Sequence, residues 1–270
     1  MAIVSSLHIY PVKGLMGYSP AFAILERRGL QYDRNWMLVD EENIFLSQRE
    51  IPEMVFLQAG IEKDALRISD RKGRKEDLLL PLNNYERGSG LVEIWNDEVK
   101  ADWVGREADE WFSALLGFKC RLVYMPDTTK RQVDLNYAQP GDITTFSDGY
   151  PVLIASESSL GDLNQRLSDG FLAAMARFRP NIVLQGTQPW EEDQWAKVRV
   201  GDAVFRTPKP CARCQVVTID PATGETGKEP LKTLASFRSR GNKVNFGVNA
   251  CPELQGLSVE IRVGDPVEQI

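Results

Sequence analysis

The sequence predicts a mainly β protein with a few helices, and three features support this fold class. Short runs rich in β-branched and aromatic residues recur along the chain between turn residues, a pattern typical of strands. Stretches with apolar residues at helical spacing are fewer. The 270 residues suffice for one large domain or two smaller ones, each with its own core. Because so many short strands need their edges covered, we expect them to close into barrels.

The first half of the chain is predicted to consist mainly of strands. They are expected at SSLHIYPV, ALRIS, LVEIWN, VKADWVG and CRLVYM. NWMLVDEENIFLSQ predicts a hairpin with its bend at residues 40–43. EADEWFSALLGF has apolar residues at helical spacing and predicts a helix that ends at Gly117.

The second half is predicted to combine further strands with two helices. Strands are expected at PVLIA, NIVLQG, KVRVGDAVFRT, CQVVTID, VNFGV and LSVEIRVGDPVEQI. SSLGDLNQRLSDG predicts a helix with Ser158 as N-cap and Gly170 at its C-terminus. PLKTLASFRSRG predicts another, with Leu231, Leu234 and Phe237 on one face. Between the halves, periodicity lapses at residues 126–145, which predicts a linker or a functional loop.

Composition excludes several classes of function. The formal net charge of −6 argues against a general nucleic-acid binder, which normally carries a basic surplus. No stretch approaches the ~20 apolar residues that a membrane span needs. The N-terminus lacks the basic and apolar regions of a signal peptide. We therefore expect a cytoplasmic protein that binds neither nucleic acid nor membrane.

Histidine and cysteine are scarce, which limits the available chemistry. The single histidine, His8, excludes any mechanism that needs both a histidine base and a histidine metal ligand. Four scattered cysteines are too few for a disulfide scaffold in a chain of this length. Catalysis would have to come from carboxylates, Lys, Tyr, a thiolate or a bound cofactor.

Cys211 and Cys214 form a C-x-x-C pair with three interpretations. A structural zinc site needs four ligands, but neither a second such pair nor a histidine pair is present. A thioredoxin-like thiol needs a following helix, whereas QVVTID predicts a strand. The remaining interpretation is a thiolate that binds a soft metal brought by a cofactor, with Arg213 favouring the ionised form.

Four cations stand in otherwise apolar contexts: Lys13, Arg34, Arg177 and Arg179. Burying a cation is costly unless it meets an anion. Each could pair with a nearby carboxylate. Together they also fit a site for an anionic ligand.

Several motifs, in order, carry a resemblance to a known family. They are IYPVKG, DRNWMLVD, SDGYPVLIASESSLGDLN, RFRPNIVLQG, WAKVRVGDAVF, KPCARCQVVTIDPATGE and IRVGDPVE. The chain resembles the MOSC family over nearly its whole length, and within it the amidoxime-reducing-component and YcbX-like branch. The resemblance implies a MOSC N-terminal β-barrel domain over residues 1–125 and a MOSC β-barrel domain over residues 126–270.

The resemblance also implies a molybdenum cofactor, in which a pterin dithiolene and a protein cysteine hold the metal. Cys214 matches the metal ligand. The other matching positions would contact the cofactor: Lys13, Arg34, Arg179, Asn181, Ala212 and Arg213. Where many relatives have Ser after the lysine and a Thr-Ser pair after Ser-Asp, this chain has Gly14 and Gly149–Tyr150. Backbone N–H groups would have to replace those side-chain donors.

By the same resemblance, the chain would reduce N-hydroxylated compounds such as hydroxylamines, amidoximes or N-hydroxylated base analogues. Asp148 is the candidate proton donor or substrate contact. No iron–sulfur, flavin or pyridoxal-phosphate site is expected in the chain, so electrons would come from a separate ferredoxin- or flavin-type reductase system. A basic patch that includes TTKRQ at residues 128–132, with Lys130 and Arg131, is the expected docking contact for it. The alternative is a sulfur-carrier or cofactor-handling module.

Overall fold

The computed structural model describes residues 1–83, 85, 88–168 and 170–270 and confirms the mainly β fold class. The helices are α1 (Arg106–Leu116), α2 (Glu157–Arg166) and α3 (Leu231–Arg238). The 3-10 helices span Pro52–Phe56, Met175–Phe178, Glu191–Gln194 and Gln215–Thr218. The strands are β1 (Ala2–Leu7), β2 (Phe22–Glu26), β3 (Gly29–Leu30), β4 (Trp36–Val39), β5 (Leu57–Glu62), β6 (Ala65–Asp70), β7 (Leu78–Pro81), β8 (Ser89–Ile94), β9 (Asp97–Trp103), β10 (Arg121–Tyr124), β11 (Arg131–Gln132), β12 (Ile143–Thr144), β13 (Val152–Ser156), β14 (Ile182–Gln185), β15 (Lys197–Val200), β16 (Ala203–Arg213), β17 (Ser239–Arg240), β18 (Lys243–Pro252), β19 (Ser258–Arg262) and β20 (Pro266–Gln269).

Seven strands close into a barrel in the order β13-β14-β1-β20-β15-β16-β18, and β18 pairs back with β13. The β13–β14 pair is parallel and the other six are antiparallel. All seven strands contribute buried apolar side chains to one core cluster, including Val4, Ile154, Val198 and Phe205. The expected closure into a barrel is therefore confirmed for this sheet.

The first 125 residues form further sheets and a second core. The sheets are β4-β10-β9-β8 and β5-β6-β7, and α1 packs Trp111 and Phe112 into the core beside them. β1 belongs to the barrel, and β2 pairs with β19. Strands from residues 1–125 and 126–270 thus share sheets, and the division between those ranges stays a prediction.

Several local predictions are confirmed. The hairpin after β4 bends at residues 40–43, where the Asp40 carboxylate accepts hydrogen bonds from the backbone N–H groups of Glu42 and Ile44. Helix α1 ends at Gly117, whose φ of +82° lies in the left-handed region that favours glycine. Helix α3 directs Leu231, Leu234 and Phe237 into one core cluster. No helix in the described ranges is long and apolar enough to cross a membrane.

Two local predictions are wrong. Helix α2 starts two residues earlier than predicted: Ser156, not Ser158, is the N-cap, and its Oγ accepts from the Ser158 N–H at 3.1 Å. It also ends at Arg166, before Gly170, and the backbone becomes extended at Leu167. CQVVTID forms a 3-10 helix over Gln215–Thr218 instead of a strand. Two of its β-branched residues, Val217 and Thr218, are buried. The β-branched pattern therefore reflects burial of these side chains and not strand formation.

Glu192 in the third 3-10 helix is fully buried, and Ser159 Oγ donates to its Oε1 at 2.7 Å. Burial raises the pKa of Glu192 to about 7 despite this hydrogen bond. Because the pKa is higher in the folded than in the unfolded state, the carboxyl favours folding below about pH 4.5 and loses that contribution as pH rises through about 7. Glu192→Gln is therefore expected to stabilise the protein at pH 8 by about 1–3 kcal/mol.

Thermal denaturation of the parent and of Glu192→Gln from pH 4 to pH 8 measures this effect. The gain in melting temperature should grow with pH and disappear near pH 4. A gain of the same size at every pH would contradict the ionisation argument and assign the effect to packing.

Candidate functional site

A cleft with a volume of about 990 Å³, including its open mouth, is lined by residues from both halves of the sequence. All eleven residues that the sequence analysis assigned to catalysis or cofactor binding lie along it: Lys13, Gly14, Arg34, Asp148, Gly149, Tyr150, Arg179, Asn181, Ala212, Arg213 and Cys214. Apart from the end of β16, they lie on connections between strands. Their individual roles stay predictions.

The charge of the cleft is strongly one-sided. Among the described lining residues, five are cations, Lys13, Arg34, Arg49, Arg179 and Arg213, and one is an acid, Asp148. Asp33, which is buried, adds a second carboxylate behind Arg34. Cations surrounded by protein are costly without counter-charge, so this lining favours an anionic ligand.

Arg179 is the least satisfied of these cations. It follows the Met175–Phe178 3-10 helix in a left-handed conformation (φ +51°), and its Nη2 is buried without a hydrogen-bond partner among the described residues. Burial, then the charge of Arg34, lowers the pKa of Arg179 to about 10, so it stays charged at neutral pH. Arg34, in contrast, has two hydrogen-bond partners. Its Nη1 donates to the Asp33 carboxylate at 2.6 Å, and its Nη2 donates to the Arg179 carbonyl at 3.1 Å.

Lys13 and Asp148 form an ion pair at the mouth of the cleft, with Nζ and Oδ1 2.5 Å apart. The Lys13 side chain is 8 % exposed and that of Asp148 is 78 % exposed. Partial desolvation opposes ionisation of Asp148, but the charges of Lys13, Arg34 and Arg213 outweigh it and hold its pKa below the usual range. A carboxylate with a lowered pKa is a poor proton donor at neutral pH, so the direction of this shift favours a substrate contact over a proton donor for Asp148.

The two cysteines of the C-x-x-C pair differ in their surroundings. Arg213 Nη1 donates to Cys211 Sγ at 2.9 Å, and Arg213 Nη2 donates to the Phe178 carbonyl at 2.6 Å. Cys214 is exposed at the start of the Gln215–Thr218 3-10 helix. Both thiols are free. Cys214 is thus the more accessible sulfur for a metal.

The other two interpretations of the pair fit the structure poorly. No group of three or more His, Cys, Asp or Glu side chains in the described residues could hold a metal ion, so a zinc site lacks its ligand set. A thioredoxin-like thiol needs a helix after Cys214, where the sequence predicts a strand. A 3-10 helix of four residues stands there instead, too short to supply the field of an α-helix N-terminus.

The remaining predicted contacts lie on the walls of the cleft. Asn181 joins two segments, because its Oδ1 accepts from the Leu153 N–H and its Nδ2 donates to the His8 carbonyl. The Tyr150 hydroxyl is buried without a hydrogen-bond partner in the described structure. Gly14 has a φ of +83°, and a Cβ there would stand 2.6 Å from Met54 Cε. The left-handed backbone therefore favours glycine at position 14, whereas the contact with the flexible end of the Met54 side chain is a minor restriction.

Two arginines named from the sequence have structural partners instead. Arg177 donates to the Asp220 carboxylate at 2.6 Å and to the Ile219 carbonyl at 2.8 Å. Arg131, 5 % exposed, pairs with Asp97 and donates to the carbonyls of residues 145 and 147. The predicted docking patch is therefore wrong for Arg131, which instead supports the loop that carries Asp148.

Sequence reasoning missed several residues of the cleft. The guanidinium of Arg49 lies 4.4 Å from the centroid of the Trp95 ring, and both residues line the cleft. Gln48 Nε2 donates to the Gly14 carbonyl. Tyr10 does not line the cleft, but its ring contacts the guanidiniums of Arg34 and Arg179, which do. Only Tyr10 carried a signal, since it belongs to the motif IYPVKG.

Comparison with known proteins agrees with this architecture. The model of the MOSC N-terminal beta barrel domain matches residues 1–119, and that of the MOSC domain matches residues 142–268. Mitochondrial amidoxime-reducing component 1 is 35% identical in Mus musculus (98% of this chain, 81% of the relative) and 32% identical in Homo sapiens (98% and 82%). Molybdenum cofactor sulfurase of Oryza sativa subsp. japonica is 31% identical over 91% of this chain, which spans 32% of that relative. The chain therefore belongs to the MOSC family, with the family's N-terminal β-barrel domain preceding the MOSC domain.

Proposed function

We propose that this protein is a molybdenum-cofactor-dependent reductase of N-hydroxylated compounds such as hydroxylamines, amidoximes and N-hydroxylated base analogues. The observation that carries the proposal is the combination, in one cleft, of five cations against one acid with the exposed thiol of Cys214. The names of the amidoxime-reducing relatives support the reaction class.

The residues of the cleft fit such a cofactor. Arg179 Nη2 and Arg213 Nε are buried donors without a partner among the described residues, and both can donate to phosphate oxygens. A cysteine thiolate suits a soft metal. When bound, the cofactor would supply two-electron redox chemistry at the metal. Lys13, Arg34, Arg179 and Arg213 would hold its anionic part, and Cys214 its metal.

The chain's own side chains would orient the substrate. Reduction of a hydroxylamine to an amine consumes two electrons and two protons and releases water. Asp148, ionised at the mouth, can accept a hydrogen bond from the N–H or O–H group of such a substrate. Lys13 Nζ donates to Asp148 Oδ1 at 2.5 Å. Burial lowers the pKa of Lys13, and the neighbouring Asp148 carboxylate opposes that effect. The pair would therefore fix the N–O group with respect to the cofactor.

Electrons are proposed to come from a separate protein. The sequence contains neither the G-x-G-x-x-G turn of a dinucleotide site nor the cysteine spacing of a plant-type iron–sulfur cluster. We expect the cofactor-loaded protein to show no NADH oxidation with a hydroxylamine on its own. It should turn over once a flavin reductase with a small carrier protein, or a strong artificial donor, is added. NADH consumption and amine formation are measured in parallel.

NADH-driven turnover by the isolated protein would contradict the need for a partner. Lack of amine formation with a strong artificial donor, in protein shown to contain molybdenum and pterin, would contradict the reductase itself. That second result would favour a cofactor-handling module, the class to which the sulfurase relatives point by name.

A further inference from the structure

The ring of Tyr10, a buried residue, contacts two guanidiniums that line the cationic cleft. The ring centroid of Tyr10 is 4.3 Å from Cζ of Arg34 and 4.3 Å from Cζ of Arg179. Tyr10 is 4 % exposed, so the ring is part of the protein interior. A single buried aromatic ring thus contacts two cations that come from positions 145 residues apart in the chain.

Bringing these two cations together needs a compensating interaction. Both guanidiniums are withdrawn from water, and the charge of Arg34 lowers the pKa of Arg179. Asp33 offsets the charge of Arg34, but Arg179 Nη2 has no hydrogen-bond partner in the described structure. The face of an aromatic ring attracts a cation, and this attraction is strongest where water is excluded. Tyr10 therefore supplies part of the stabilisation that Arg179 otherwise lacks.

The backbone fixes the ring with respect to both arginines. The N–H of Tyr10 donates to Asp33 Oδ1 at 2.9 Å, and the N–H of Arg34 donates to the Tyr10 carbonyl at 2.8 Å. The same Asp33 carboxylate accepts from Arg34 Nη1 through its other oxygen. Arg34 Nη2 then donates to the carbonyl of Arg179. Tyr10, Asp33, Arg34 and Arg179 form one connected unit.

We propose that Tyr10 is a positioning residue that holds the guanidiniums of Arg34 and Arg179 ready for an anion before the anion binds. The inference rests on the anion-binding part of the proposed function and not on the reductase reaction. The role belongs to the face of the aromatic ring. Phenylalanine at position 10 should therefore preserve anion binding, whereas an aliphatic side chain should weaken it. A preformed pair of guanidiniums binds an anion more tightly because less ordering is needed on binding.

The test uses full-length protein made without cofactor and inorganic phosphate as the probe. Thermal unfolding is followed as phosphate replaces chloride at constant ionic strength, and the stabilisation gives an apparent Kd. Tyr10→Phe should bind phosphate like the parent. Tyr10→Leu and the longer Tyr10→Met should bind about tenfold more weakly, within the range expected for a lost desolvated cation–π contact. Protein from a cofactor-competent host should show the same ranking in pterin and molybdenum content.

Phe112→Leu is the matched control, because Phe112 is a buried aromatic residue of the N-terminal core outside the cleft. It should lose stability without any change in phosphate Kd. Parent-like phosphate binding by a folded aliphatic Tyr10 variant would overturn the positioning role alone. A defect in Tyr10→Phe as large as in Tyr10→Leu would overturn the role of the ring face. Failure of both aliphatic variants to fold, while Phe112→Leu folds, would make Tyr10 a structural residue. No phosphate response in the parent would overturn both the positioning role and the anion-binding part of the proposed function.

Discussion

Cys214→Ser is expected to bind almost no molybdenum, whereas Cys211→Ser retains it. Cys214 offers an exposed thiol at the cleft, and a serine hydroxyl is a poor replacement for a thiolate on a soft metal. Loss of a direct ligand should reduce metal content at least about tenfold, since changes around a ligand already reach that size. Cys211 already accepts a hydrogen bond from Arg213, and its replacement should change mainly that contact. Elemental analysis of both variants, produced in the same cofactor-competent host, measures the difference.

Pterin content distinguishes loss of the metal from loss of the whole cofactor in these samples. Cys120→Ser serves as a control, because Cys120 is buried beside Ser113 and does not line the cleft. Equal loss of molybdenum in the Cys211 and Cys214 variants, or loss in the Cys211 variant alone, would refute Cys214 as the ligand.

Arg179→Lys is expected to reduce cofactor retention, whereas Arg177→Lys is expected to reduce the stability of the empty protein. The two residues lie two positions apart in one motif. Lysine cannot reproduce the planar two-donor geometry of Arg179, so cofactor retention should fall. The stability of the empty protein should change by no more than about 0.5 kcal/mol, because Nη2 of Arg179 has no hydrogen-bond partner in the described structure to lose. Arg177→Lys should cost the empty protein about 2 kcal/mol, because it breaks buried hydrogen bonds to Ile219 and Asp220.

Denaturant unfolding of the empty variants and cofactor analysis of the loaded variants give the two readouts. Once folded, Arg177→Lys should keep its cofactor. If the empty Arg179→Lys protein unfolds much earlier than its parent, Arg179 is a structural residue and its assignment to the anion site is wrong.

The sequence predicted elements well where local pattern and tertiary environment agree. Short runs of β-branched and aromatic residues marked most strands, and Gly117 marked the end of α1. The prediction failed at residues 215–218, where β-branched residues pack as a 3-10 helix against the core. The predicted N-cap of α2 was also the wrong serine. Ser156 and Ser158 are the same residue type two positions apart, and only the extended backbone of Ser156 identifies it as the cap.

The candidate site was predicted through motifs rather than through contacts. Family motifs placed eleven residues in one cleft, but they could not tell an arginine with a carboxylate partner from one without. Arg131 meets Asp97 and Arg177 meets Asp220 through tertiary packing that no local pattern records. Arg49 and Trp95 were missed for the same reason, because the cleft brings them together from separate connections.

The position of β1 in the barrel has a consequence for how the protein is made. Ile3 pairs with Gln185, and Ala2 pairs with Val267 on β20. Strand β1 must therefore wait for partners that are synthesised on the order of tens of seconds later. Until then its edges stay unpaired, which exposes the nascent chain to wrong pairing and aggregation. Removing β20 would also leave β1 and β15 without a shared neighbour, so the barrel would open between these two strands.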